Sequence, residues 1–293
     1  MKWEYLREEE FAGAIEKSGG LCVMSIGCIE KHGQHLPLGT DSLKADKIVE
    51  LAAERAGVVM FPTTMWLGDV MSSHALKNPA AVRRSGYIGM NPHTLLTVLE
   101  ELCDEIARNG FTKILLCNSH GGNAGLLNFF LRLQGYKKKK YATMACRAND
   151  LTVAKMRAAI KADPESFSML TEEDHRVLER FSDPSCEFGH GCFVETMLTL
   201  GTYPELVAED RYEAESGLST HRADYLSRLG VDFAYSWLAN YPNAYTGTAP
   251  VGCSRTLAEA AMKLTLDRLT RIFEILRDDT ECLAMIDEVV PSL

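Results

Sequence analysis

The 293-residue chain has no Cys-x-x-Cys pair among its nine cysteines, no excess of positive charge and no long apolar run. Each absence closes off a class of protein. Without thiols at ligand spacing a thiolate zinc framework is excluded, and an odd cysteine count does not suit a disulfide scaffold. Cys22, Cys117 and Cys146 fall inside apolar runs, where a reduced thiol packs as a small hydrophobe. The net charge of -9 offers no general surface for phosphates, so nucleic acid is not an expected partner. The only basic run, Lys137 to Lys140, reads as a solvated turn between a helix and a strand. No apolar stretch approaches the ~20 residues needed to span a bilayer, so no membrane partner is expected either. Met1-Lys-Trp-Glu-Tyr leads into an acidic, helix-like stretch rather than a signal-peptide core, so a reducing cytoplasm is the expected location. No internal repeat or low-complexity linker divides the chain, and residues 1–293 read as one domain.

What is present is ordinary globular composition, 46% hydrophobic and 24% charged, enough for a sizeable core. Apolar runs alternate with amphipathic stretches. Glu8 to Lys17 reads as a helix, Leu21 to Ile26 as a strand, Asp41 to Arg55 as a helix and Val58 to Pro62 as a short strand. Asn91 to Arg108 has a complete set of helix signals, with Asn91 as N-cap, Pro92 at the first position and Gly110 beyond the end. Lys113 to Cys117 is a buried strand, Gly125 to Leu133 a helix apolar all round and therefore expected to be buried, and Tyr141 to Cys146 another strand. Glu195 to about Leu200 and Thr256 to Leu276 continue the helical pattern. Alternation of this kind predicts an α/β fold, three-layer, with a mostly parallel sheet and helices on both faces. The charged, helix-forming stretch at about 150–186, broken at Pro164 and Pro184, reads as a helical insert: a lid, a subunit contact or a plain surface hairpin.

Three polar clusters follow apolar runs. The first is Glu30-Lys-His32-Gly33-Gln-His35-Leu-Pro37-Leu-Gly39-Thr-Asp41, which places carboxylate, imidazole and carboxylate at i, i+2 and i+11 after the strand ending at Ile26. Mixed nitrogen and oxygen donors suit zinc, manganese or iron better than calcium. The second is Asn118-Ser119-His120-Gly121-Gly122-Asn123, after Ile114 to Cys117. The third is Glu187-Phe-Gly-His190-Gly191-Cys192-Phe-Val-Glu195-Thr196. Five of the eight histidines (32, 35, 74, 120 and 190) fall in segments of this kind. Any one of them taken alone reads as a satisfied core histidine, but three clusters at three strand or helix ends are poorly explained that way. Ligands in open α/β sheets bind outside the carboxyl ends of the strands, where the first two clusters lie. A cysteine-nucleophile reading of Cys192 is weakened by the carboxylates around it, which disfavour a thiolate.

With these motifs the chain resembles the creatininase (creatinine amidohydrolase) family, whose motifs read approximately Glu-Gln-His-Gly-x-His-Leu-Pro-x-x-Thr-Asp, Asn-Gly-His-Gly-Gly-Asn and His-Ala-Gly-x-x-Glu-Thr. The counterparts here occur in the family order. Lys31 replaces the Gln, Ser119 a Gly, and Gly191-Cys192 the Ala-Gly. The resemblance implies two divalent ions, zinc, manganese or iron, spaced ~3.5–4 Å apart and bridged by a carboxylate. By the same resemblance Asp41 bridges, Glu30 and His120 complete one metal and His32 the other. Creatininase has a Glu where Gly122 stands here, so Glu195 is the substitute fifth ligand. His190 is the proton donor to the leaving group, its family counterpart lying beside the metals. His35, Ser73, Gly121, Gly122 and Asn123 are substrate-contacting or ligand-supporting candidates, and Trp237, Tyr241 and Tyr245 are candidate pocket aromatics.

The expected activity is hydrolysis of a C–N bond in a small amide, cyclic amide or formamide, by attack of a metal-bridging hydroxide. Alternatives are a hydrolase of a cyclic polyol ketone or lactam on the same site, a mononuclear centre built on Glu30, Asp41 and His120, and a non-catalytic, metal-stabilised binding protein. The wall of the pocket discriminates between substrates: carboxylates and Asn for polyols, aromatics for flat heterocycles. Resemblance also implies a homo-oligomer, commonly a hexamer, with Ala284-Met285-Ile286 as a candidate contact.

Overall fold

In the computed structural model, which describes residues 1–64, 66–70, 85–136 and 139–289, four parallel strands form the central sheet. The chain runs α1 (Glu8–Lys17), β1 (Leu21–Ile26), α2 (Thr40–Ala56), β2 (Val59–Met60), α3 (Pro92–Arg108), β3 (Lys113–Asn118), α4 (Asn123–Gln134) and β4 (Ala142–Arg147). It continues through α5 (Val153–Ala162), α6 (Glu172–Arg180), α7 (Phe193–Thr202), α8 (Arg255–Asp278) and α9 (Glu281–Val289). The strand order is β2-β1-β3-β4, with Ser25 opposite Cys117 and Cys117 opposite Cys146 in register.

β1 and β3 are buried along their whole length, so their side chains alternate between two cores. Leu21, Val23, Leu115 and Cys117 point to one face, covered by Ile48, Val49 and Ala52 of α2, Phe193 and Met197 of α7, and Leu257, Leu269 and Phe273 of α8. Cys22, Met24, Ile26, Ile114 and Leu116 point to the other, covered by Ala14 of α1, Leu95, Leu99 and Ile106 of α3, and Leu127 and Phe130 of α4. The three-layer α/β architecture is therefore as the sequence predicts. The cap signals act as expected too: the Asn91 side chain accepts from His93 N–H at 2.9 Å, and α2 ends at Gly57 with φ of +70°.

Three expectations need correcting. α4 is not buried all round: Phe129 is 51% exposed and only Asn123, Leu127 and Phe130 of the helix are buried. The strand anticipated at Val58 to Pro62 shrinks to two residues. Residues 150–186 are no detached surface hairpin; Val153, Met156, Phe167, Val177, Leu178 and Phe181 join the main core. Ser73 and His74, with Lys137 and Lys138 of the basic run, lie outside the described residues. Among the described residues no helix is long and apolar enough to cross a membrane.

Order β2-β1-β3 means that the chain leaves β1 toward α2 on one face and reaches β3 through α3 on the other. The loops after β1 and β3 diverge above a shared crevice, the position where open α/β sheets bind ligands.

Candidate metal centre

Both loops are pinned to that crevice by main-chain bonds. Ser119 N–H donates to Ile26 C=O at 2.9 Å, tying the end of β3 to the end of β1, and Glu30 N–H donates to Leu38 C=O at 2.9 Å, closing the first polar loop. Gly33 turns that loop with φ of +73°, where a Cβ would lie 2.7 Å from His35 Nδ1. The loop then feeds α2, whose first turn holds Asp41. Glu195 sits likewise in the first turn of α7. Unpaired N–H groups at a helix start favour a carboxylate there, so both helices present their acids in a suitable electrostatic setting.

Six of the candidate residues converge. Cys28, Glu30, Asp41 and His120 form one group whose ligand atoms all lie within 4.8 Å of one another; His32, Asp41 and Glu195 form a second, and Glu30, His32 and His190 a third. His120 Nδ1 is 2.9 Å from Glu30 Oε1 and 3.0 Å from Asp41 Oδ2. His32 Nε2 is 3.3 Å from Asp41 Oδ1 and 3.8 Å from Glu195 Oε2. His190 Nδ1 is 3.6 Å from Glu30 Oε1, and its ring lies 4.0 Å from that of His32.

Each of the three imidazoles commits its other nitrogen to a main-chain carbonyl. His120 Nε2–H donates to Asp69 C=O at 2.7 Å, His32 Nδ1–H to Glu30 C=O at 3.1 Å, and His190 Nε2–H to Lys31 C=O. That choice of tautomer aims three lone pairs at carboxylate oxygens. A lone pair facing a carboxylate at about 3 Å needs a cation or a proton between them. His32 Nε2 and Glu30 Oε1 are buried and make no hydrogen bond among the described residues. Donors arranged around one ion at 2.0–2.2 Å lie roughly 3.0–3.4 Å from each other, close to the spacing of His120 from Glu30 and Asp41 and of His32 from Asp41, whereas His32 and Glu195 are 3.8 Å apart. The residues therefore fit a divalent transition metal.

Protonation shows the same demand for positive charge. Burial alone raises the carboxyls and lowers the imidazoles. At Asp41 this is outweighed by the Lys44 ammonium and by His32 and His120, which hold it well below the usual carboxylate range. Burial of Glu30 is likewise outweighed, by His120 and His190, and burial of Glu195 by Lys44. The carboxylates in turn raise His32 and His120 against their burial. His190 behaves differently: burial and the neighbouring His32 lower it, so it stays neutral.

The remaining candidates surround this cluster. His35 is buried with Nε2 3.1 Å from Thr196 Oγ1, fastening the first loop to α7 rather than facing the ligands. Gly122 packs beneath His120, where a Cβ would lie 2.5 Å from Nε2. Asn123 accepts from Asp69 N–H at 3.0 Å and donates to Asn118 Oδ1 at 3.2 Å, bracing the turn that carries the Asp69 carbonyl. Gly121 lines a cavity of about 950 Å³ whose wall also includes His120, Glu195, Arg147, Asn149 and Phe188. Trp237 stands edge-on to His190 at 5.6 Å, while Tyr241 donates to Glu187 and Tyr245 is buried; none of the three lines that cavity. Ser73 is outside the described residues.

Two residues of the centre escaped the sequence reading. Cys28 lies in the first ligand group, its thiol donating to Asp41 Oδ2 at 3.4 Å and raised by burial. Lys44 is fully buried, with Nζ 2.8 Å from Asp41 Oδ1 and 2.6 Å from Glu195 Oε1. One signal was available: Lys44 interrupts the apolar stripe of α2 that runs through Ala45, Ile48, Ala52 and Ala56, one turn after Asp41.

A family model described as creatinine amidohydrolase matches residues 4–273. The chain is 23% identical over 203 residues to a creatinine amidohydrolase of Pseudomonas putida, covering 69% of this chain and 72% of that protein. A crystal structure of creatinine amidohydrolase superposes with a TM-score of 0.67 at 18% identity, over 95% of this chain and 98% of the other. A mutant creatininase of zinc–zinc type gives 0.64 at 19% identity, over 95% and 98%.

Proposed function

The chain belongs to the creatininase family, metal-dependent hydrolases of C–N bonds other than peptide bonds, and from that premise we propose that it cleaves a small amide, cyclic amide or formamide with divalent ions held at two adjoining positions. Glu30, Asp41 and His120 would hold one ion; His32, Asp41 and Glu195 would hold the other, with Asp41 common to both. Zinc, manganese and iron all suit these donors. The observation that carries the reading is the set of three imidazoles, each fixed by a main-chain carbonyl and each aiming its free nitrogen at the carboxylates.

When bound, such ions acidify a water toward neutral pH and polarise the scissile carbonyl. The chain supplies the rest. His190, neutral and with Nδ1 directed at Glu30, takes the proton of the attacking water and returns it to the departing nitrogen as the C–N bond breaks. The Lys31 carbonyl keeps its Nε2 protonated throughout, so the exchange occurs at Nδ1. Phe181 and Phe188 line the cavity, and so do Arg147 and Asn149. This wall supports a substrate with a polar or anionic group remote from its amide. Asn149 also favours the second reading, a cyclic polyol ketone or lactam opened on the same centre.

The nine cysteines are all free, which supports a reducing, cytoplasmic location. α9 has no buried residue, and Met285 is 53% exposed, supporting a homo-oligomer in which this helix is covered; a monomeric mass by light scattering would remove that proposal.

The test is hydrolysis of a panel of small amides, formamides and cyclic ketones by protein purified without chelator. Activity should vanish on chelation, return with added zinc, manganese or iron, and be absent in Asp41→Ala. Activity that survives complete metal removal would overturn the proposal.

A further inference from the structure

Lys44 makes the two cation positions unequal. Its ammonium is fully buried and bridges Asp41 Oδ1 and Glu195 Oε1, two of the three carboxylates in the cluster. The other oxygen of Glu195 accepts from Gly191 N–H at 2.7 Å, so both oxygens of that side chain are already engaged. Glu30 Oε1, by contrast, faces only imidazole nitrogens, His120 Nδ1 at 2.9 Å and His190 Nδ1 at 3.6 Å, and no ammonium. The first position, Glu30 with Asp41 and His120, thus includes a carboxylate that no ammonium engages. The second, His32 with Asp41 and Glu195, has the unpartnered His32 Nε2 but carboxylate oxygens that a resident cation already engages.

Charge balance agrees with the geometry. Glu30, Asp41 and Glu195 carry three negative charges on buried side chains, where uncompensated charge is costly. One divalent ion and one ammonium balance them. A second divalent ion would add two positive charges beside Lys44, in a setting where like charges repel strongly. Residues for a second ion are present, but here a lysine from one turn farther along α2 is built into their carboxylates.

We propose that Lys44 serves as the resident cation of the second position, so that this chain binds one divalent ion tightly and a second only weakly, against the lysine. This refines the metallohydrolase reading and rests on it. Lys44 acts through Asp41 and Glu195 and is a positioning residue, holding their carboxylates in place and setting how many ions the centre takes.

The experiment is a competition titration of the metal-free chain with Zn²⁺ against a chromophoric chelator, for wild type, Lys44→Met and Glu195→Gln. Wild type should take one tight equivalent. Lys44→Met should take two, the second bound roughly a hundredfold more tightly than in wild type. Glu195→Gln should leave the tight equivalent of wild type in place, which keeps the test decisive if Lys44→Met does not fold. Two tight equivalents in wild type, one of them lost in Glu195→Gln, would overturn the role of Lys44 and leave the metallohydrolase reading standing. Failure of wild type to take even one equivalent would overturn both.

Discussion

Asp41 and His120 are 79 residues apart in the chain, yet Oδ2 of one lies 3.0 Å from Nδ1 of the other, joining the first turn of α2 to the end of β3. The other oxygen of Asp41 faces His32 and Lys44. One carboxylate therefore sets the spacing of the whole centre. Asp41→Ala should reduce metal content to below roughly a tenth of the wild-type value and destabilise the fold by about 3–5 kcal/mol, because the buried Lys44 loses one of its two partners. Metal analysis by inductively coupled plasma mass spectrometry, with urea unfolding alongside, checks both; wild-type metal content in the variant would refute the assignment.

Metal affinity should climb with pH. In the metal-free chain His32 and His120 are held protonated above their ordinary value of 6.5 by the carboxylates around them. A metal binds only the deprotonated rings and must expel those protons. Because the folded-state values are raised, the gain continues as pH rises through 6.5 and beyond instead of levelling off there. Chelator competition at a series of pH values from 6 to 9 measures the slope, and a flat profile above 6.5 would contradict the prediction.

His35 should make the fold sensitive to acid. Burial lowers it from 6.5 to about 4, so the folded chain resists protonating it while the unfolded chain does not. For a depressed group the stability is present above the unfolded value and is lost as pH falls toward the folded one. The loss between pH 6.5 and 4 is about 3 kcal/mol for this residue. His35→Gln should flatten that part of the stability curve relative to wild type; parallel curves would show that His35 contributes nothing to it.

Gly122 tests the placement of His120. Its φ of -59° suits any residue, so Gly122→Ala is not strained in its backbone. The added Cβ would instead lie 2.5 Å from His120 Nε2 and 3.1 Å from the Asp69 carbonyl, forcing the ring off its partner. Metal affinity should fall about 10- to 100-fold with the melting temperature nearly unchanged. An affinity equal to wild type would mean that the ring is not held in this way.

His190→Gln should retain its metal and lose turnover. If Nδ1 carries the proton, kcat should drop by roughly 10²- to 10⁴-fold, and the limb of the pH–rate profile that reports this group should disappear. A parallel loss of metal would make His190 a ligand instead.

Local chemistry was legible in the sequence. The bounds of α1 and β1 and the capped start of α3 depend on neighbours within a few residues, so Asn91, Pro92 and an unbroken apolar run sufficed to locate them. Gly and Pro likewise constrained the loop carrying Glu30 and His32, and the α/β alternation put both polar loops at strand ends. Three outcomes were decided only by the tertiary structure. Periodicity shows that α4 is apolar but not which of its faces a neighbour covers, and Phe129 is left exposed. Which imidazole nitrogen faces the cluster depends on the main-chain carbonyls that the fold brings to the other one. Whether Lys44 is a surface lysine or a buried cation depends on Glu195, a partner 151 residues away, because a buried ammonium is tolerable only where folding delivers the carboxylates that satisfy it.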